Sequence, residues 1–226
     1  MTPSRRLDLH VHSTRSPDGR SELDEVVRLV PQRGLDGFAL TDHNTVAGHA
    51  RLAELAAEHP DLRLIPGVEV STRAGHLLAY GVSAVPPAGR SVDDTVEWVT
   101  ARGGVVVLAH PFRRVHGVGG TVCQEARVPA IETMNGHNGA RANRRASEVA
   151  AARGVAATGG SDAHSGTELG RAWTRFPEGV DSVGELLEAL RRGQTTAEGR
   201  SATVLERSRT SIRSFGLRLR RGLRPL

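Results

Sequence analysis

Asp8-Leu9-His10-Val11-His12-Ser13 closes the first apolar run of the chain, and its reading decides the architecture. Leu7 to Val11 reads as a strand. Residues two apart on a strand leave the same face, so His10 and His12 point together. A plain apolar core has no use for two such imidazoles, whereas a metal ion does. Comparable packets follow: Asp18 in the turn Ser16-Pro17-Asp18-Gly19, then Thr41-Asp42-His43, Gly67-Val68-Glu69, Gly75-His76, Ala109-His110-Pro111 and Ser161-Asp162-Ala163-His164. They stand where apolar, β-rich runs end. Side chains at the ends of separate strands converge only if the strands lie side by side with one end shared, as in a barrel. Imidazoles and carboxylates without thiolates suit Zn, Mn or Fe. The residues alone therefore point to a multi-metal hydrolytic site.

Outward from these packets the chain alternates strand and helix. A helix opens at Ser21, the expected N-cap, with Leu23, Val26, Val27 and Val30 as its apolar stripe. Pro31 disturbs its last turn and Gly34 ends it. Strands are expected at 37–41, 62–70, 76–80, 105–109, 130–134, 155–159 and 172–176, and helices at 45–58, 91–102, 140–153 and 183–190. Val105-Val106-Val107-Leu108-Ala109 is apolar throughout, as in a strand covered on both faces. The alternation argues for a mostly parallel sheet, closed or nearly closed. Between His110 and Ile131 only a short Gly- and Arg-containing connection is expected.

Composition narrows the chemistry. Every basic residue is Arg, so lysine Schiff-base and lysine-nucleophile mechanisms are excluded. Cys123 is the single thiol, which rules out a disulfide framework and fits a reducing, cytoplasmic setting. No segment approaches the ~20 apolar residues of a membrane span. The formal charge of +5 comes from the end of the chain: Gly199 to Leu226 holds eight arginines against Glu206, leaving 22 basic and 24 acidic residues elsewhere. The expected division is a catalytic domain at 1–199 and a basic tail at 200–226. Leu205, Ile212, Phe215, Leu219 and Leu223 give the tail near-helical spacing. Its charge could meet nucleic acid or an acidic membrane, although no aromatic residues interleave the arginines.

The packets resemble the PHP family, named for polymerase and histidinol phosphatase. The resemblance runs from about Leu7 to Gly199 and rests on several separate motifs in order. It implies an α/β fold, a distorted seven-stranded (β/α)7 barrel like a TIM barrel, with three divalent ions of Mn, Zn or Fe. Carried over position by position, it implies one ion on His10, His12, Glu69 and Asp162, a second on Glu69, His76 and His110, and a third on Asp18, His43 and His164. A metal-bridging hydroxide would attack the phosphorus of a nucleotide or other small phosphoester. Asp42 is expected to orient a ligating imidazole, and Arg113 and Arg114 to hold substrate phosphate. These three are the expected catalytic residues beyond the ligands. His116, His137 and Asn138 are expected pocket residues, and Cys123 a core residue. Glu132 is left outside the ligand set. The competing expectations are a non-catalytic module of the same family that binds nucleic acid or acts as a scaffold, and a metalloenzyme acting on C–N or C–O bonds.

Overall fold

The computed structural model describes residues 4–206. In chain order these form β1 (Arg5–Val11), α1 (Leu23–Leu29), β2 (Gly37–Leu40), α2 (His49–Glu58), β3 (Arg63–Ser71), β4 (His76–Tyr80), α3 (Val92–Thr100), β5 (Val105–Leu108), α4 (Gly119–Glu125), β6 (Ala130–Asn135), α5 (Ala140–Arg153), β7 (Ala156–Gly160), β8 (Ala172–Phe176), α6 (Val183–Arg191) and β9 (Thr196–Gly199). Most of the expected arginine-rich tail, with its helical spacing, lies outside the described residues. Within 4–206 no helix is long and apolar enough to cross a membrane.

The strands form one mixed sheet in the order β7-β6-β5-β4-β3-β2-β1-β8-β9. Pairing is parallel for β1–β2, β2–β3, β5–β6 and β6–β7, and antiparallel for β3–β4, β4–β5, β1–β8 and β8–β9. The sheet curls until the end of β1 meets the segment after β7. There Ala163 O accepts from His12 N at 2.9 Å, and His10 O accepts from Ala163 N at 3.2 Å. The result is a nearly closed, barrel-like sheet of nine strands rather than a plain seven-fold β/α repeat. β4 returns antiparallel after a short turn, and β8, paired with β9 from beyond α6, is added against β1.

Alternation along the strands divides the core. Ile65, Leu78, Tyr80, Val105 and Val107 turn into one cluster with Leu186, Leu187 and Leu190 of α6. Val68, Val70, Leu77, Val106 and Leu108 turn to the other side, with Val99 of α3, Cys123 of α4 and Ala146 of α5. Phe38, Leu40 and Leu64 pack with Val26 of α1 and Leu52 of α2. Leu7, Val105, Ala130 and Ala156, at or near the starts of β1, β5, β6 and β7, share the α6 cluster. Helix α6 therefore plugs one end of the barrel. The opposite end, where β1, β2, β5 and β7 terminate, is left for polar residues.

Local chemistry sets the helix ends. Ser182 caps α6 in a reciprocal box with Glu185, and Ser91 caps α3 by accepting from Asp94 N at 3.0 Å. Ser21 does not cap α1. Glu22 occupies that position without a side-chain cap, and Ser21 Oγ accepts from Gly166 N at 2.9 Å, joining the first loop to the loop after β7. Pro31 begins a short 3-10 turn that Gly34 closes in the left-handed region. Between His110 and Ile131 the connection is not merely a loop, because α4 forms there and buries Cys123.

Candidate metal centre

Each packet is delivered by the end of a strand or the turn beyond it. His10 and His12 come from the end of β1, His43 from just after β2, Glu69 from late β3 and His76 from the first residue of β4. His110 follows β5, Asp162 and His164 follow β7, and Asp18 reaches back from the loop after β1. All nine are buried at the same mouth of the barrel. His110 (φ 28°) and Asp162 (φ 57°) adopt left-handed backbone conformations that side chains rarely occupy. The chain turns sharply at both points and swings each side chain inward, a strain that packing must overcome.

Glu69 lies at the centre. Its Oε1 is 2.7 Å from His76 Nδ1 and 3.0 Å from His110 Nε2. Its Oε2 is 3.1 Å from His10 Nε2, 3.2 Å from His12 Nε2 and 3.3 Å from His43 Nδ1. Asp162 Oδ1 faces His12 Nε2 at 3.4 Å and His10 Nε2 at 3.6 Å. Asp18 Oδ2 is 2.9 Å from His164 Nε2 and 3.6 Å from His43 Nε2. Three sets of donor atoms emerge, each within 4.8 Å of one another: His10, His12, Glu69 and Asp162; His12, Asp18, His43 and His164; and His43, Glu69 and His76. The expected groupings differ in detail. His12 also joins the Asp18 set, and His43 replaces His110 beside Glu69 and His76, although His110 still touches Glu69. A further set, His137, His164 and Glu168, was not expected.

The electrostatics match this crowding. Burial pushes the Glu69 carboxyl up, but His43, His10 and His76 outweigh it and hold the group well below the usual carboxylate range. Burial acts the same way on Asp162, where His10 and Arg113 overcome it. For His10 burial favours the neutral ring, but Asp162, Glu132 and Glu69 carry it well above the ordinary imidazole value. His110 falls to about 4, through burial first and then the charge of Arg113. Ionised carboxylates packed among imidazoles are the donors a divalent cation requires. Moreover, His12 Nε2, His43 Nδ1 and His110 Nδ1 are buried without a hydrogen-bond partner. The first two face a Glu69 oxygen at close range without the geometry of a hydrogen bond. A cation between such atoms would satisfy both, so the donor set fits divalent metal.

Behind these residues stands a support that the packets did not reveal. Glu132 on β6 lies 2.9 Å from His10 Nδ1 and accepts from His110 N at 2.7 Å and from Asn135 Nδ2 at 3.0 Å. Its trace in the sequence is an acid inside the apolar run Ala130-Ile131-Glu132. Asp8 accepts backbone hydrogen bonds from Ser161 at 2.8 Å and from Gly170 at 2.9 Å, tying β1 to both ends of the loop between β7 and β8. Asp42 holds no imidazole; its carboxylate accepts from Ser13 N and Ser13 Oγ, both at 2.7 Å. Arg113 is engaged through Nε and one terminal nitrogen. It donates to Asp162, to Asn135 Oδ1 at 2.8 Å and to Asn138 Oδ1 at 3.1 Å. Arg114 is exposed and stands apart from the nine. His116 stacks on His76 with centroids 4.5 Å apart, and His137 on His164 at 5.4 Å. His137 and Asn138 line a cavity beside the centre.

The PHP domain model matches residues 8–117, and the PHP-associated model matches residues 140–195. The chain belongs to the PHP-domain family. A phosphoribosyl 1,2-cyclic phosphate 1,2-diphosphodiesterase of Eggerthella lenta is 39% identical over 87 residues, which are 36% of this chain and 32% of that protein. The chain thus spans about a third of that relative. The fold is shared with PsfC from Pseudomonas syringae, at a TM-score of 0.71 and 18% identity over 96% of this chain and 99% of the other. It is shared also with a protein from Bifidobacterium adolescentis described as a metal-dependent phosphoesterase, at a TM-score of 0.63 and 19% identity, over 85% of this chain and 98% of that one.

Proposed function

We propose that the chain is a metal-dependent phosphoesterase that hydrolyses a nucleotide or another small phosphate ester. The observation that carries this reading is the meeting of nine buried imidazoles and carboxylates, Glu69 at their centre, with imidazole nitrogens left unpartnered. Three divalent ions of Mn, Zn or Fe fit the three donor sets: His10, His12, Glu69 and Asp162; His12, Asp18, His43 and His164; and His43, Glu69 and His76, with His110 alongside. Such ions supply an acidified water near neutral pH and positive charge for the phosphoryl oxygens. The protein residues do the rest. Glu132 fixes the ring orientation of His10 and the backbone of His110. Arg113 holds the outer oxygen of Asp162, and Asp42 holds Ser13 at the end of β1. Glu132, Arg113 and Asp42 thus hold the ligating groups and the end of β1 in place, and Arg114 would meet substrate phosphate. Residues 1–199 would form the catalytic domain, with the arginine-rich residues after 199 as an appended tail.

No lysine or reactive thiol competes for the role of nucleophile: the chain contains no Lys, and Cys123 is buried. The relative named as a diphosphodiesterase is consistent with phosphoester chemistry in this family. The test is metal analysis of the purified protein together with release of inorganic phosphate from a panel of phosphorylated metabolites and short oligonucleotides. Metal should be present, and turnover should require it. His12→Ala and Asp162→Ala should lose both, by about a hundredfold or more in turnover. Bound metal with no turnover on any phosphoester would favour a binding or scaffold module.

A further inference from the structure

His137 carries a buried nitrogen that the nine-residue centre does not use. Its Nε2 has no hydrogen-bond partner, and the side chain is only 9% exposed. That nitrogen faces Glu168 Oε1 at 3.7 Å, too far for a hydrogen bond. Glu168 is buried as well. The two residues come from separate loops, His137 between β6 and α5 and Glu168 between β7 and β8. Each is held from behind. His137 N donates to Asn135 Oδ1 at 2.9 Å. Glu168 Oε2 accepts from His164 N at 2.9 Å and lies 3.6 Å from Arg20. Oε1 is the oxygen turned toward His137.

A cation accounts for this spacing better than a direct ion pair does. Zinc holds nitrogen and oxygen ligands at about 2.0–2.2 Å, which sets tetrahedral ligands roughly 3.3–3.6 Å from one another. The 3.7 Å between His137 Nε2 and Glu168 Oε1 is close to that separation. His164 supplies a third donor, since His137, His164 and Glu168 each offer one atom within 4.8 Å of the others. The His164 Nδ1 donates to the carbonyl oxygen of Asp162 at 2.8 Å, so the free lone pair is on Nε2. That same nitrogen lies 2.9 Å from Asp18 Oδ2, within the inner set of His12, Asp18, His43 and His164. A single lone pair ligates one ion at a time, so the two sets exclude each other at His164.

We infer that His137 and Glu168 form, with His164, an outer cation site, and that one ion is shared between this site and the Asp18 set by way of His164. The inference rests on the proposed reading of a metal ion in the Asp18 set. Four protein donors against three favour the inner position, and the charge of Asp18 keeps the ion there. His137 also borders the cavity beside the centre, so the outer position is the one nearer solvent. The arginines of that cavity disfavour a free cation, and Glu168 supplies the opposing charge.

The test is zinc content after equilibrium dialysis of the metal-loaded full chain, with a melting curve for each protein to record that it is folded. Asp18→Asn should keep as many zinc equivalents as the unaltered protein, because the ion moves outward. Asp18→Asn combined with His137→Ala should lose one equivalent, and so should Asp18→Asn combined with Glu168→Gln. His137→Ala and Glu168→Gln alone should lose none, since the inner set remains. The His137 ring forms no hydrogen bond at Nε2, so its removal tests the site even where Glu168→Gln disturbs the backbone of His164. Loss of the equivalent in Asp18→Asn alone, or equal content in all these proteins, would overturn the outer site. One equivalent more in the unaltered protein than in His137→Ala would mean that both sites fill together, which overturns the sharing of His164. Unaltered protein that takes up no zinc would remove the metal reading itself, and the outer site with it; every other result leaves that reading standing.

Discussion

Asp8 shows how much a single buried carboxylate can organise without touching a metal. Its oxygens accept from the backbone of Ser161, Gly170 and His10, so both ends of the loop between β7 and β8 hang from it. Asp8→Asn would turn an amide N–H toward one of those donors, at a cost of about 1–3 kcal/mol. Urea unfolding should record that loss, and metal analysis should show weaker retention, since Ser161 precedes Asp162. At Cys123, burial pushes the thiol up to about 11, against the opposing charges of Arg153 and Arg145. The neutral thiol is the unreactive form. Alkylating reagents at pH 8 should therefore leave Cys123 unmodified in the folded protein and label it on unfolding, as mass spectrometry would register. Rapid labelling of the native protein would contradict its place in the core.

Strands and helices differ in how openly the sequence announces them. β4, α5 and β8 follow the expected bounds because their polar–apolar pattern and their punctuation agree. Gly139 and Gly154 bracket α5, for instance. α4 went unseen because Gly117, Gly119 and Gly120 read as a loop, and its burial depends on contacts with α5 rather than on its own periodicity. β9 carries no apolar signal either; Thr196-Ala197-Glu198-Gly199 becomes a strand only by pairing with β8. Two changes probe the elements directly. A Cβ on Gly160 would lie 2.4 Å from His10 Cβ and 2.8 Å from His10 N. Gly160→Ala must therefore separate β7 from β1, and it should cost about 3 kcal/mol and release metal together with stability. Ser182→Ala removes the cap of α6 at the far end of the barrel. It should cost about 1 kcal/mol, or roughly 2–4 °C in melting temperature, with metal content unchanged. Loss of metal in that variant would mean that the two ends of the barrel are coupled.

Over the whole molecule, one end of the barrel is sealed by leucines and the other by ionisable groups. Most of the nine polar residues were legible because they bound or interrupt apolar runs, a pattern visible in a linear chain; Asp18, in a polar turn, is the exception. Their grouping was not, because it depends on backbone turns such as the left-handed Asp162 and on which side of Glu69 each ring reaches. The two ends should also respond differently to chelation. Ligands that bind only the folded state stabilise it by mass action. Stripping the metal should lower the melting temperature by several degrees, and adding Mn should restore it, as differential scanning calorimetry would read. Glu69 gives this dependence its form. Five rings lean on its two oxygens, so neighbouring cations would be joined through a common keystone. Occupancy should then rise all-or-none in a metal titration, and Glu69→Gln should empty the entire mouth where His76→Ala vacates a single berth.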